Sequence, residues 1–118
     1  MEKNASIAVV EDEDYVRELI SLSLTGLSSD IQSFASASQA WEHIRSNDAD
    51  IVISDVNMPG MSGFSLLRKI KEEFANKRCI LISADPSNEG HARKLGADAF
   101  LAKPFRMKEL LRIVHSFV

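Results

Sequence analysis

Apolar runs of two kinds alternate along the chain. Ile7-Ala8-Val9-Val10, Ile51-Val52-Ile53 and Cys79-Ile80-Leu81-Ile82 are short and continuous, with no polar residue interleaved. Runs of that length and β-branched content predict strands covered on both faces, as in a parallel sheet. Ile31-Gln32-Ser33-Phe34 is a more polar strand of the kind found at a sheet edge, and Ala97 to Ala102 completes a set of five. Between the strands the period becomes helical. Val16, Leu19, Ile20, Leu24 and Leu27 share a stripe that starts at Asp14 and nears its stop at Gly26. Ala37, Ala40, Trp41 and Ile44 form a second stripe, opened by Ser36-Ala37-Ser38-Gln39, which resembles a capping box. Leu66, Leu67, Ile70 and Phe74 form a third behind Ser62 or Gly63, and Met107, Leu110, Leu111, Val114 and Val118 form the last. The segment from Ser87 to Leu95 is the poorest helix. It contains Gly90, offers only Ala92 and Leu95 as apolar anchors, and stops at Gly96, a good left-handed cap.

Five strands alternating with five helices predict right-handed crossovers and an α/β fold: one doubly wound, five-stranded parallel sheet with helices on both faces, a single domain over residues 1–118. With the polar second strand at an edge, the strand order is 2-1-3-4-5. The winding then reverses between strands one and three, and such sheets bind ligands outside the carboxyl ends of their strands at that reversal. Glu11 and Asp12 end the first strand. Asp55 ends the third, just before the turn chemistry of Met58-Pro59-Gly60; Ser83 ends the fourth and Lys103 the fifth.

Clustered carboxylates repel one another, and without a cation at least one would protonate. A hard divalent cation with oxygen ligands resolves the conflict, and near phosphate Mg²⁺ is the usual choice. Lys103 suits a phosphate oxygen and the Ser83 hydroxyl can donate to another. Metal, cationic clamp, hydroxyl donor and carboxylate nucleophile are the parts phosphoryl transfer needs. Each residue also has a plainer reading. Asp55 could be a turn aspartate, Ser83 a strand-end serine, Lys103 a surface lysine, and the acids from Glu11 to Asp14 solvated partners of a helix N-terminus. Their joint arrival at four strand ends favours a site.

The same residues carry a family resemblance. Val9-Val10-Glu11-Asp12, Asp55-Val56-Asn57-Met58-Pro59-Gly60-Met61-Ser62-Gly63, Ser83-Ala84, Gly96-Ala97-Asp98-Ala99-Phe100 and Lys103-Pro104-Phe105 resemble a response-regulator receiver domain, from about Ser6 to Val118. The resemblance implies a flavodoxin-like fold and a phosphoacceptor switch in a two-component phosphorelay, not an enzyme beyond its own phosphorylation and dephosphorylation. It implies that Asp55 takes a phosphoryl group from the phosphohistidine of a histidine kinase or phosphotransfer protein. It further implies Mg²⁺ held by Asp12, Asp55 and the Asn57 carbonyl with Glu11 nearby, phosphoryl contacts from Ser83 and Lys103, a switching aromatic at Phe100, and a cis Lys103–Pro104 bond. The output surface would be the fourth helix, fifth strand and fifth helix, working through a phosphorylation-dependent dimer or an effector partner. Three positions depart from the pattern: Glu11 replaces the commoner aspartate, Ser62 stands where an acid is usual, and Phe100 lacks the hydroxyl of the frequent tyrosine.

Two other functions compete. A Mg²⁺-dependent phosphatase with an aspartyl nucleophile would want a second acid two residues after Asp55, where this chain has Asn57. A flavin-binding module would want a phosphate-cradling loop after strand one, where Glu11-Asp12-Glu13-Asp14 would repel phosphate. Composition narrows the setting. The 118 residues are 45% hydrophobic and 26% charged, which excludes disordered and fibrous classes. A net charge of -3 gives no electrostatic reason to expect nucleic-acid binding by this domain alone. No apolar run approaches the roughly 18 residues of a membrane span and the first residues do not resemble a signal peptide, so no membrane association is expected. The one cysteine, Cys79, excludes an internal disulfide, fits a reducing cytoplasm, and is expected to be buried in its strand. No effector domain is expected within the 118 residues, which leaves a stand-alone regulator or a piece of a larger protein.

Overall fold

The continuous apolar runs form parallel strands because both of their faces can be covered. They are β1 (Ser6–Val10), β2 (Asp30–Phe34), β3 (Ile51–Asp55), β4 (Arg78–Ser83) and β5 (Ala99–Ala102). The computed structural model describes residues 5–46 and 49–118; residues 1–4 of the expected 1–118 domain, and 47–48, lie outside the described set. The strands pair in parallel in the order β2-β1-β3-β4-β5, with β2 at an edge. Every residue of β3 is buried, whereas only Ile31 and Phe34 of β2 are half covered.

Alternation along each strand distributes the helices. Ala8, Val10, Val52, Cys79 and Leu81 point to one face, where α2 (Ala37–Ser46), α3 (Gly63–Glu73) and α4 (Glu89–Lys94) cover them with Ala40, Ile44, Leu66, Ile70 and Ala92. Ile7, Val9, Ile53, Ile80, Ile82 and Leu101 point to the other, covered by Ile20 of α1 (Asp14–Ser23) and by Leu110 and Val114 of α5 (Met107–Phe117). Each fully buried Ile or Leu contributes about 1.5–3 kcal/mol, so the two faces together hold the sheet between its helices. Cys79 is buried as expected, and burial pushes its thiol up to about 12, which makes it inert. No helix of the described residues is long and apolar enough to cross a membrane.

Four details differ from the expected elements. The fourth helix is only Glu89–Lys94, because Pro86 opens a separate 3₁₀ turn (Pro86–Asn88) capped by the Asp85 carboxylate. Strand β5 begins at Ala99, two residues late, since Ala97 still donates to Ala92 O to close α4 and Asp98 turns its carboxylate toward β4. Leu19 is 43% exposed at the border of its stripe, while Ile20 and Leu24 occupy the centre. Val118 lies past the end of α5 and is 54% exposed; Phe117 packs in its place, under the Arg78 guanidinium at 5.5 Å.

Polar contacts pin the end of the sheet where the strands begin. Asp98 Oδ2 accepts from Cys79 N at 2.8 Å and from Lys71 Nζ at 3.0 Å, and Oδ1 accepts from Arg78 Nη1 at 3.3 Å. Lys77 is 8% exposed, and its Nζ donates to Ala49 O at 2.6 Å beneath the Phe74 ring. Burial pushes the Asp98 carboxyl up, but the Cys79 N–H and the Lys71 ammonium outweigh it and hold the group below its ordinary 3.8. A depressed carboxylate contributes stability that is present above the ordinary value and lost as pH falls through the folded one. Asp98→Ala should therefore lower stability by about 2 kcal/mol at neutral pH, the middle of the range for hydrogen bonds to charged groups. Urea unfolding should show that deficit shrinking as pH falls below 3.8.

Candidate functional site

Parallel strands share a direction, so their carboxyl ends deliver side chains to one rim. β1 delivers Glu11 and Asp12, β3 delivers Asp55, β4 delivers Ser83, and β5 delivers Lys103. Carboxylate oxygens of Glu11, Asp12 and Asp55 all lie within 4.8 Å of one another. Glu11 and Asp55 are buried, whereas Asp12 is exposed at the mouth. The Lys103 ammonium reaches between them, 3.2 Å from Glu11 Oε1 and 3.6 Å from Asp55 Oδ1. The Lys103–Pro104 peptide bond is cis.

Burial is the main force on Glu11, Asp55 and Lys103. It pushes the Glu11 and Asp55 carboxyls above their ordinary values, and Lys103 opposes that rise without cancelling it. Burial also works against the Lys103 charge, but Asp55 and Glu11 outweigh it and raise the ammonium above 10.5. Three carboxylates thus face one ammonium in a half-buried crevice. The donor set is all hard oxygen with an excess of negative charge, which fits a hard divalent cation.

The loops are fixed by contacts of their own. Glu11 Oε2 accepts from the Glu13 N–H at 3.2 Å, and Arg17 Nη1 donates to the Glu11 carbonyl at 2.9 Å while its Nη2 pairs with Asp14 at 2.6 Å. After Asp55, Val56 N donates to Ile82 O, Gly60 takes the left-handed φ of 78°, and Gly63 N donates to Val56 O. Ser62 caps α3 by accepting from Ser65 N, the job an acid could also do. Gly63 sits so close to β3 that a Cβ there would overlap the Asp55 carbonyl oxygen and lie 2.9 Å from Val56 Cα.

The expected residues do not all converge. Ser83 is fully buried at the rim, but its Oγ accepts from Asp85 N at 3.0 Å and Asn88 Nδ2 at 2.9 Å, turned toward the β4–α4 connection. Asn57 is exposed two residues beyond Asp55. Phe100 pairs with Leu81 and packs half-buried on the α3 and α4 side of the sheet, alongside Phe64. Arg17 and Asn88 were not singled out from the sequence. Arg17 stands six residues from the carbonyl it holds and Asn88 five from its hydroxyl, spacings that carry no motif.

Comparison with known proteins gives a consistent picture. The family described as response regulator receiver domain matches residues 7–115. The chain is 32% identical over 92% of its length to the DNA-binding transcriptional regulator NtrC of a Bradyrhizobium species, of which it spans 23%. It is 33% identical over 88% of its length to the response regulator GtcR of Aneurinibacillus migulanus, spanning 43% of that protein. Among solved structures it is similar to the response regulator TrrA of Thermotoga maritima in complex with Mg(2+)-BeF. That match has a TM-score of 0.89, 28% identity and coverage of 97% of this chain and 99% of that one.

The close approach at Gly63 makes a measurable demand. Gly63→Ala must push α3 or the end of β3 aside, and overpacking of a buried site costs about 1–3 kcal/mol. Urea unfolding should register that loss, and Mg²⁺ titration should register weaker cation binding as the Asp55 carboxylate moves off its neighbours.

Proposed function

The chain belongs to the response regulator receiver domain family, and from that membership we propose that Asp55 is its phosphoacceptor. Receiver domains are phosphoacceptor switches of two-component signalling, and this one is a switch and not a turnover enzyme. The observation that carries the assignment is the Lys103 ammonium between Asp55 and Glu11. It places a fixed positive charge beside a carboxylate at the end of the central strand.

In the proposed step an Asp55 carboxylate oxygen attacks the phosphorus of a phosphohistidine. The O–P bond forms as the P–N bond breaks, and the imidazole leaves and takes a proton from solvent. Lys103 keeps its charge throughout and lies against an oxygen of the transferred group. Ser83 donates its hydroxyl hydrogen to another. Asp12, Asp55 and the Asn57 carbonyl, with Glu11 nearby, would hold a Mg²⁺, and such an ion would supply charge neutralisation for the transfer. The phosphatase reading is not favoured, since the residue two positions after Asp55 is an exposed asparagine.

We further propose where the phosphoryl donor docks. Beside Lys103 runs a mostly apolar groove of about 470 Å³, lined by Val16, Leu19, Pro104, Phe105 and Met107 among others. Tyr15 and Leu22 continue this surface along α1, 78% and 61% exposed. A histidine kinase or phosphotransfer protein that must bring its phosphohistidine to Asp55 would cover this surface. The response would leave through α4, β5 and α5, with Phe100 behind β4 repacking, toward an effector or a second copy of the chain. The DNA-binding role named for the NtrC relatives involves proteins of which this chain spans 23%, and the rest of such a protein would carry it. A cytoplasmic setting suits the buried thiol of Cys79.

Incubation with acetyl phosphate and Mg²⁺ should add one phosphoryl group by mass spectrometry, and EDTA should prevent it. Asp55→Asn should abolish the modification while the far-ultraviolet spectrum stays unchanged; undiminished modification would sink the assignment. The docking surface is tested separately. Tyr15→Ala combined with Leu22→Ala should slow transfer from a phosphorylated kinase about thirtyfold, at about 1 kcal/mol for each of the two interface side chains. Acetyl phosphate should react with that variant at the unmutated rate.

A further inference from the structure

The connection after β4 winds back over the strand end. The Asp85 carboxylate accepts from Ser87 N and starts the 3₁₀ turn Pro86–Asn88. That turn returns the Asn88 amide to the rim, where Nδ2 donates to Ser83 Oγ at 2.9 Å. The Asp85 N–H donates to the same oxygen at 3.0 Å. A hydroxyl oxygen has two acceptor positions, so both are taken, and they are taken inside a site where Ser83 is 0% exposed. Asn88 is also the residue immediately before α4, whose six residues bury only Ala92. One turn further on, the His91 ring meets Phe64 of α3 edge-on at 4.5 Å.

We propose that Asn88 is a positioning residue that latches Ser83, and with it the start of α4, in the unphosphorylated arrangement. The inference rests on Asp55 being the phosphoacceptor. With Oγ held by two donors of the β4–α4 connection, the Ser83 hydroxyl is directed by that connection and not by the carboxylates. Reaching an oxygen carried by Asp55 requires Ser83 to leave Asn88 or to drag the turn with it. Either way the same movement frees the first turn of the least anchored helix. The Asp85 donor is main chain and survives substitution, so the strength of the latch is set at residue 88. A ligand shifts such an equilibrium only by its different affinity for the two arrangements. The Asn88 bond therefore opposes phosphoryl uptake and restrains α4 by one and the same free energy.

Beryllofluoride with Mg²⁺ serves as the probe, titrated by intrinsic fluorescence and by amide resonances. Asn88→Ala removes one neutral hydrogen bond from the unliganded arrangement and should bind beryllofluoride about two- to tenfold tighter. Its probe-free amide resonances between Ser83 and Leu95 should already be displaced toward the bound positions. Asn88→Ser, which draws the donor out of reach but keeps a polar residue before α4, should reproduce the gain. In a Ser83→Ala background, Asn88→Ala should leave affinity unchanged, since the bond it removes no longer exists. Unchanged or weaker binding in both Asn88 variants overturns the latch, and so does a gain that persists in the Ser83→Ala background. An unmutated protein that takes up no beryllofluoride overturns the phosphoacceptor reading together with the latch.

Discussion

The structure depends on an electrostatic conflict at the carboxyl ends of its strands. Glu11, Asp12 and Asp55 hold oxygens within 4.8 Å of one another, and burial of two of them makes mutual repulsion harder to screen. Lys103 relieves part of it by standing between Glu11 and Asp55. The remaining excess of negative charge would give the rim affinity for a divalent cation. It also explains the division of labour among the three acids. Glu11, the longest, spends one oxygen on Lys103 and the other on the Glu13 N–H. It thereby holds the clamp and its own loop, while Asp55 shares the same ammonium and Asp12 stays exposed at the mouth.

Such a cluster survives only if the backbone beneath it cannot relax. β3 is buried on both faces along its whole length, and Gly63 presses α3 against the carbonyl of Asp55. At the far end of the sheet, Asp98 ties Lys71, Arg78 and the Cys79 amide together, and the Lys77 ammonium closes on Ala49. The protein is therefore stiff at the strand beginnings and under the acceptor. Freedom is left to the connection between β4 and α4, where a 3₁₀ turn and six helical residues share a single buried side chain.

The fold and most of the rim were legible in the sequence for one reason. In a parallel sheet, secondary structure alone decides which residues meet, because every strand end points the same way. Locating four strand ends located Glu11, Asp12, Asp55, Ser83 and Lys103 together. What was not legible depends on how loops close. Pro86 was visible, yet its splitting of the fourth helix follows from the cap that Asp85 makes with Ser87. Val118 has the right helical spacing after Val114, but the helix ends one residue earlier and Phe117 takes the apolar contact. Ser83 was placed at the correct strand end while the direction of its hydroxyl was not, because that direction is set by Asn88 through a turn whose path no periodicity describes. Arg17 escaped for the same reason, since it holds a backbone carbonyl and leaves no pairing pattern.

The hydroxyl direction bears on how strongly a switch of this kind should be held. A neutral hydrogen bond has a net worth of about 0.5–1.5 kcal/mol, whereas one made to a charged group is worth about 1.5–3 kcal/mol. A phosphoryl oxygen on Asp55 would accept the Ser83 hydroxyl hydrogen, and that charge-assisted bond would therefore outweigh the Asn88 bond given up when Ser83 moves to make it. Two neutral donors on Ser83 keep the resting arrangement dominant without making it permanent. A carboxylate at residue 88 would invert the relation by accepting the hydroxyl hydrogen itself with a charge-assisted bond. The site would then compete with its own ligand, and α4 would stay closed. An amide donor next to a six-residue helix is weak enough to yield and placed where its yielding is felt.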